Sequence, residues 1–68
     1  MLVAKIKELC AEQNITIAEL ERRAGLGNGV IRRWDTMAPR AYSLYAVSKV
    51  LGTDASELWD EWRHSHGY

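Results

Sequence analysis

The sequence predicts a small all-α domain built from five helices, and three observations lead to that prediction. Apolar residues recur at helical spacing along nearly the whole chain, and no stretch alternates as a strand would. Glycine-bearing or proline-bearing turns separate these stretches at short intervals. The chain has 68 residues and is 47% hydrophobic, which suffices for one core and excludes a disordered chain. We therefore expect a compact five-helix bundle with short connections.

The first two predicted helices are joined by a short connection. Helix 1 spans residues 2–13, and its apolar stripe includes the single cysteine, Cys10, as a small buried side chain. Thr16 begins helix 2 as the first residue of a capping box that Glu19 completes. Gly25 ends helix 2, because a glycine readily adopts the left-handed conformation of a helix C-terminus.

Helix 3, expected from about residue 28 to residue 36, has two chemically different faces. At roughly 100° per residue, the apolar side, a predicted core face, consists of Val30, Ile31, Trp34 and Met37. The opposite side consists of Asn28, Gly29, Arg32, Arg33 and Thr36. Amide and guanidinium groups pair bidentately with adenine and guanine edges in the major groove. Two helices joined by a tight turn, the second with such a face, form a helix-turn-helix arrangement.

The rest of the chain predicts two further helices. Pro39 cannot continue helix 3, so helix 4 should extend over about residues 40–51. Its expected buried stripe is Ala41, Leu44, Tyr45, Val47, Ser48 and Leu51. Helix 5 begins after Asp54 as a capping residue. Residues 1–63 are expected to form one domain, and residues 64–68 a frayed C-terminal tail.

Charge is distributed unevenly, although the formal net charge is zero. Residues 22–40 contain five arginines and one acid, whereas residues 54–68 contain four acids and one arginine. Such a molecule can place its basic end against phosphates. The net charge of zero is mild evidence against nucleic-acid binding, because nucleic-acid-binding domains are usually basic.

Several function classes are excluded by composition and motifs. One cysteine forms no intrachain disulfide and fits a reducing compartment. We find no signal peptide and no membrane-spanning stretch, so we expect a cytoplasmic protein. No catalytic constellation or phosphate loop is present, so we expect neither an enzyme nor a cofactor. His64 and His66 lack a third ligand at helical spacing, so we expect no metal site.

These residues resemble the Cro/CI-type (XRE) helix-turn-helix family of bacterial and phage transcriptional regulators. The resemblance rests on IKELC in helix 1, TIAELERRAGL in helix 2, NGVIRRW in helix 3, the VLG that ends helix 4, and DASELW in helix 5. It covers about residues 5–60. It implies a lambda-repressor-like fold and a homodimer that reads a short palindromic operator in double-stranded DNA.

The resemblance also implies which residues contact DNA. The base-reading positions fall on Asn28, Gly29, Arg32 and Arg33. Thr16, through its backbone N–H, and Arg40 fall on phosphate-contacting positions, and Thr36 on the outward face of helix 3 is expected to contact phosphate too.

Some positions depart from the family pattern. Ile17 stands where a glutamine often reaches the DNA backbone. Cys10 stands where an arginine often pairs with the acid at position 35, which leaves Asp35 without that partner. Gly27 replaces a serine or threonine cap, and Ser48 replaces a buried alanine. The first two departures weaken the expected phosphate clamp.

The C-terminal aromatic residues predict a subunit contact. Trp59, Trp62 and Tyr68 together offer more aromatic surface than one short terminal helix buries. We expect Trp59 to close the core and Trp62 to anchor a homodimer through helix 5, because aromatic side chains anchor interfaces. Tyr42, on the exposed side of helix 4, is expected to face solvent.

The predicted function is that of a sequence-specific DNA-binding transcriptional regulator that represses by occluding a promoter. Two alternatives stay open. A protein-interaction module on the same fold, such as an antirepressor or scaffold, is slightly favoured by the zero net charge and by Ile17. The antitoxin of a toxin–antitoxin pair would also use this fold.

Overall fold

A computed structural model describes residues 1–67 of the chain. Over this range the elements are α1 (Leu2–Glu12), α2 (Ile17–Ala24), a 3₁₀ segment (Ile31–Asp35), α3 (Ala41–Leu51) and α4 (Ala55–Ser65). No strand occurs among these residues, so the all-α prediction is confirmed. The prediction of five α-helices is wrong, because the described residues contain four. None of these helices has the length and apolar character that crossing a bilayer demands.

The predicted helix 3 accounts for the difference. Residues 28–30 form a turn, and only Ile31–Asp35 is helical, with 3₁₀ geometry. Gly29 has a φ of +86°, which is incompatible with an α-helix. Ile31 and Trp34 are nevertheless buried together, since residues three apart share a face in both helix types.

The ends of α2 follow the sequence prediction closely. The Thr16 hydroxyl oxygen accepts a hydrogen bond from Glu19 N–H at 3.0 Å, and Gly25 is left-handed with a φ of +73°. The reciprocal half of the capping box is absent, because the Glu19 carboxylate accepts from the Arg23 guanidinium at 2.6 Å instead. The cap and the terminator therefore fix where α2 begins and ends.

One core holds all the elements together. Its buried apolar members are Leu2, Val3, Ile6, Cys10, Leu20, Ile31, Trp34, Leu44, Val47, Leu51, Leu58 and Trp62. Burial raises the pKa of the Cys10 thiol, so that thiol is held neutral as a small core side chain. The core thus draws on every helix and on the 3₁₀ segment.

Three residues predicted to be buried are exposed. Met37 is 59% exposed, because the 3₁₀ segment ends at Asp35 and the helical periodicity does not continue to it. Ala41 and Tyr45 of α3 are also exposed. They flank a buried stripe that is narrower than predicted and consists of Leu44, Val47, Ser48 and Leu51.

In α4 Trp62 is buried, whereas Trp59, which was expected to close the core, is partly exposed. Trp62 is 7% exposed, and its Nε1 donates to the Trp34 carbonyl oxygen at 3.0 Å. Trp59 is 37% exposed and stacks on the outer face of Trp62, with ring centroids 5.7 Å apart. Trp62 lies one helical turn after the fully buried Leu58 and therefore points inward. The indole of Trp62 thus belongs to the core, and the homodimer contact expected of Trp62 stays a prediction.

The α4 helix continues past the boundary predicted at residue 63. Residues 64 and 65, which the sequence assigns to a frayed tail, are helical. The imidazole of His66 stacks on Trp62 at 4.1 Å, and its Nε2 lies 3.1 Å from the Asp35 carbonyl oxygen. These contacts tie the end of α4 to the 3₁₀ segment. Tyr68, grouped with the aromatic surface of helix 5, lies outside the described residues.

Candidate nucleic-acid interface

The segment of residues 28–36 presents its polar side chains outward. Ile31 and Trp34 are 0% and 4% exposed and anchor it in the core. The side chains of Asn28, Arg32, Arg33 and Thr36 are exposed, and Gly29 is half-buried. The predicted base-reading residues are therefore brought together on one accessible element, although that element is a turn followed by a 3₁₀ helix.

The 3₁₀ geometry separates the two arginines. With three residues per turn, neighbouring side chains point about 120° apart. Arg32 lies beside an open groove of about 530 Å³ between the 28–36 segment, α1 and α2, which Asn28 and Lys7 also line. Lys7 was not identified from the sequence, because only the packing of α1 against the 3₁₀ segment brings it there.

Arg33 faces a different part of the surface. It lines a cleft between the 28–36 segment and the start of α3, together with Arg40 and Tyr42. Arg40 is the exposed residue that precedes the first turn of α3. The Tyr42 side chain is 80% exposed, so its phenol can reach a ligand in this cleft. Arg33 therefore lies in the same cleft as Arg40, the residue predicted to contact phosphate, and the phenol of Tyr42 lines this cleft too.

The two threonines expected near phosphate have partners within the chain. The Thr16 hydroxyl caps α2, and the Thr36 hydroxyl donates to the Arg33 carbonyl oxygen at 3.3 Å. Both residues are exposed. Thr16 lies at the start of α2, and Thr36 is the last residue of the 28–36 segment.

The guanidinium groups of this surface are available for an anion. Among residues 1–67, Arg32, Arg33 and Arg40 take part in no salt bridge, whereas Arg23 pairs with Glu19. Exposed cations without protein partners give a surface the positive potential that attracts phosphates. Within the same described range, no group of three potential ligand side chains is arranged to hold a metal ion.

Glu21 is a buried acid that the sequence reasoning missed. It is 3% exposed, and its carboxylate accepts from the N–H groups of Gly29 and Ile31 at 3.1 and 3.0 Å. Its position offered a signal, because it lies four residues after Ile17 and thus on the apolar stripe of α2. An acid on such a stripe needs buried donors, and the turn at residues 28–31 supplies them.

Comparison with known proteins gives one match. A family model described as a Cro/C1-type HTH DNA-binding domain matches residues 5–60, which include the whole 28–36 segment and the cleft beside Arg33. No curated protein and no solved structure matches the chain.

Proposed function

We propose, from the premise that this chain belongs to the Cro/C1-type helix-turn-helix family of DNA-binding domains, that it is a repressor that reads a short palindromic operator. The observation that carries the proposal is the accessible 28–36 segment. Its Asn28, Arg32 and Arg33 side chains project from a backbone that Ile31 and Trp34 hold in the core. A rigid support of this kind is what a base-reading element requires.

In the proposed complex the 28–36 segment enters the major groove. Asn28, Arg32 and Arg33 approach base edges, and Gly29 allows the backbone to come close. Thr16, Thr36 and Arg40 contact phosphates, with Lys7 and Tyr42 at the margins. Amide and guanidinium groups supply direct base readout, while phosphate contacts fix orientation.

A homodimer would present two such segments on one side of the duplex. Equivalent half-sites lie about 34 Å apart along B-DNA. The protein's longest dimension is 30 Å, so two copies placed end to end along this axis have a spacing close to that value. We place the subunit contact on the exposed face of α4 around Trp59. A dimer bound to the operator would then block access to a promoter.

Selection of bound sequences from a random duplex pool tests the proposal directly. We expect a palindrome whose half-sites are about one helical turn apart. We also expect affinity to fall with salt, by a log–log slope near −0.9 for each phosphate contacted. A pool that yields no enriched sequence would contradict the proposed readout.

Substitution of Trp59 by alanine tests the proposed dimer. Truncation of an aromatic anchor commonly costs at least about 2 kcal/mol of association free energy, or roughly thirtyfold in the dimer Kd. Sedimentation equilibrium should therefore show a weaker dimer for Trp59→Ala. The matched control is Tyr42→Ala, an exposed aromatic residue of α3. An equal dimer Kd for wild type and Trp59→Ala would place the interface elsewhere.

A protein-interaction module, such as an antirepressor or a scaffold, is the second candidate. The exposed Trp59 and the zero net charge support it. Such a protein would show no DNA binding, or binding insensitive to salt. The DNA-binding antitoxin of a toxin–antitoxin pair is a separate alternative, and it would bind DNA and also co-purify with a second small protein.

A further inference from the structure

Both carboxylate oxygens of Glu21 are committed to the backbone of the 28–36 segment. Oε1 accepts from Gly29 N–H at 3.1 Å, and Oε2 accepts from Ile31 N–H at 3.0 Å. Glu21 forms no salt bridge with any residue in the described range, so these amides are what compensates its burial. Hydrogen bonds to an ionised carboxylate are stronger than neutral ones, so this contact is a firm restraint.

The amino end of the 28–36 segment depends on this restraint. Val30 precedes the 3₁₀ segment without a side-chain cap, and Gly27 contributes no side chain. The backbone bond at this turn, from Val30 N–H to the Gly27 carbonyl oxygen, is 3.3 Å long. Gly29 adopts a positive φ at a high cost in conformational entropy. A turn of this composition would sample several conformations if nothing outside it held it.

The carboxyl end of the segment is held by other residues. Trp62 Nε1 donates to the Trp34 carbonyl oxygen at 3.0 Å, and the His66 ring lies against the Asp35 carbonyl oxygen. The two ends are therefore fastened by different helices, α4 at one end and α2 at the other. Asn28 directly precedes Gly29 and Arg32 directly follows Ile31, so each side chain is next to an amide that Glu21 binds.

We propose that Glu21 is a specificity-determining positioning residue. Its carboxylate holds the Gly29 and Ile31 amides so that the neighbouring Asn28 and Arg32 side chains meet base edges in one fixed register. Glu21 itself is buried under the segment and touches no base. This inference rests on the proposed function, because it assigns a cause to the readout proposed above.

A positioning role separates sequence preference from affinity. Without the carboxylate, the side chains of Asn28 and Arg32 adopt several orientations. This weakens the preference for operator over random DNA. Loss of the carboxylate also makes the protein one charge more positive, which favours binding to phosphates in general. A residue that only stabilises the fold would lower both affinities together.

The test compares Glu21→Gln with Glu19→Gln. The carboxamide of Gln has nearly the same shape but one acceptor oxygen, so one of the two amides loses its partner. Glu19→Gln removes the same charge from α2, but Glu19 contacts Arg23 and not the 28–36 segment. Kd is measured for the selected operator and for a random duplex, on fully folded protein. The preference is the random-duplex Kd divided by the operator Kd. We expect this ratio to fall about tenfold in Glu21→Gln, while the random-duplex Kd stays equal or decreases. In Glu19→Gln we expect the ratio to equal that of the wild type.

A second measurement needs no DNA. Amide hydrogen exchange followed by NMR should be at least tenfold faster at Gly29 or Ile31 in Glu21→Gln. Exchange at Leu58, inside α4, should stay at the wild-type rate and thereby show that the fold is intact. Unchanged exchange rates at both Gly29 and Ile31 would show that Glu21 does not restrain these amides, and would overturn the proposal.

The outcomes separate this inference from the proposed function. A wild-type protein with no sequence preference overturns the proposed function, and the role of Glu21 with it. A wild-type preference that survives in Glu21→Gln overturns the role of Glu21 alone. Operator and random-duplex affinities that both fall by the same factor show a structural role and overturn the proposal.

Discussion

Replacement of Arg32 by alanine is expected to remove most of the preference for one base pair in each half-site. Arg32 is exposed, forms no salt bridge with the described residues and lies beside Asn28 at the groove. A bidentate base contact is worth about 1–3 kcal/mol of discrimination, or roughly 5- to 150-fold at that position. Affinity for random duplex should fall much less. Fluorescence anisotropy with the selected operator and its single-base variants measures both quantities.

Arg40→Ala is the matched comparison for this prediction. Arg40 lies in the cleft with Arg33, away from the groove that Arg32 lines. Its loss should weaken binding about equally for all sequences and make the log–log salt slope less negative by about 1. If Arg32→Ala behaves in the same uniform way, Arg32 contacts phosphate and not a base.

Replacement of Trp62 by alanine is expected to remove about a third or more of the protein's free energy of unfolding. Its indole is buried, stacks with the rings of Trp59 and His66, and donates to the Trp34 carbonyl oxygen. Truncation of a core tryptophan to alanine costs about 3–5 kcal/mol. Domains have about 0.05–0.15 kcal/mol of stability per residue, so a chain of this length has roughly 3–10 kcal/mol in total. Urea denaturation followed by far-ultraviolet circular dichroism measures the change.

Two further variants separate the causes of that loss. Trp59→Ala removes the same side chain from an exposed position of the same helix and should cost no more than about 1 kcal/mol at concentrations where the protein is monomeric. Trp62→Phe keeps an aromatic ring but leaves the buried Trp34 carbonyl without that donor, so it should cost about 1–3 kcal/mol. Equal stability of the two alanine variants would contradict the assignment of Trp62 to the core.

Local signals in the sequence predicted the ends of several elements correctly. Thr16 begins α2, Gly25 ends it, and Gly52 ends α3 in the left-handed conformation. Each of these depends on the residue itself and its immediate neighbours, as caps and glycine terminators do. The family resemblance, which covered about residues 5–60, is confirmed by the match over residues 5–60.

The α-helical periodicity predicted an α-helix at residues 28–36 and a buried Met37, whereas only Ile31–Asp35 is helical, with 3₁₀ geometry. Spacing put Ile31 and Trp34 correctly in the core, because residues three apart face the same way in both helix types. Spacing could not show that Gly29 would break the α-helix or that Met37 would lie outside it. The turn at Gly29 is bonded to the Glu21 carboxylate of another helix, and the carboxyl end of the 3₁₀ segment contacts Trp62 and His66, so both ends involve residues distant in sequence.

The amino-acid sequence was therefore sufficient for the helical class, the capped ends of α2 and the outward position of Asn28, Arg32 and Arg33. These follow from hydrophobic spacing and local backbone chemistry, which act within a few residues. The assignment of Trp62 to the core, the place of Lys7 beside Arg32 and the bonds of Glu21 to the turn came only from the packed structure. Each joins residues that lie on different elements of the chain, and the way the helices dock decides which side chain is covered.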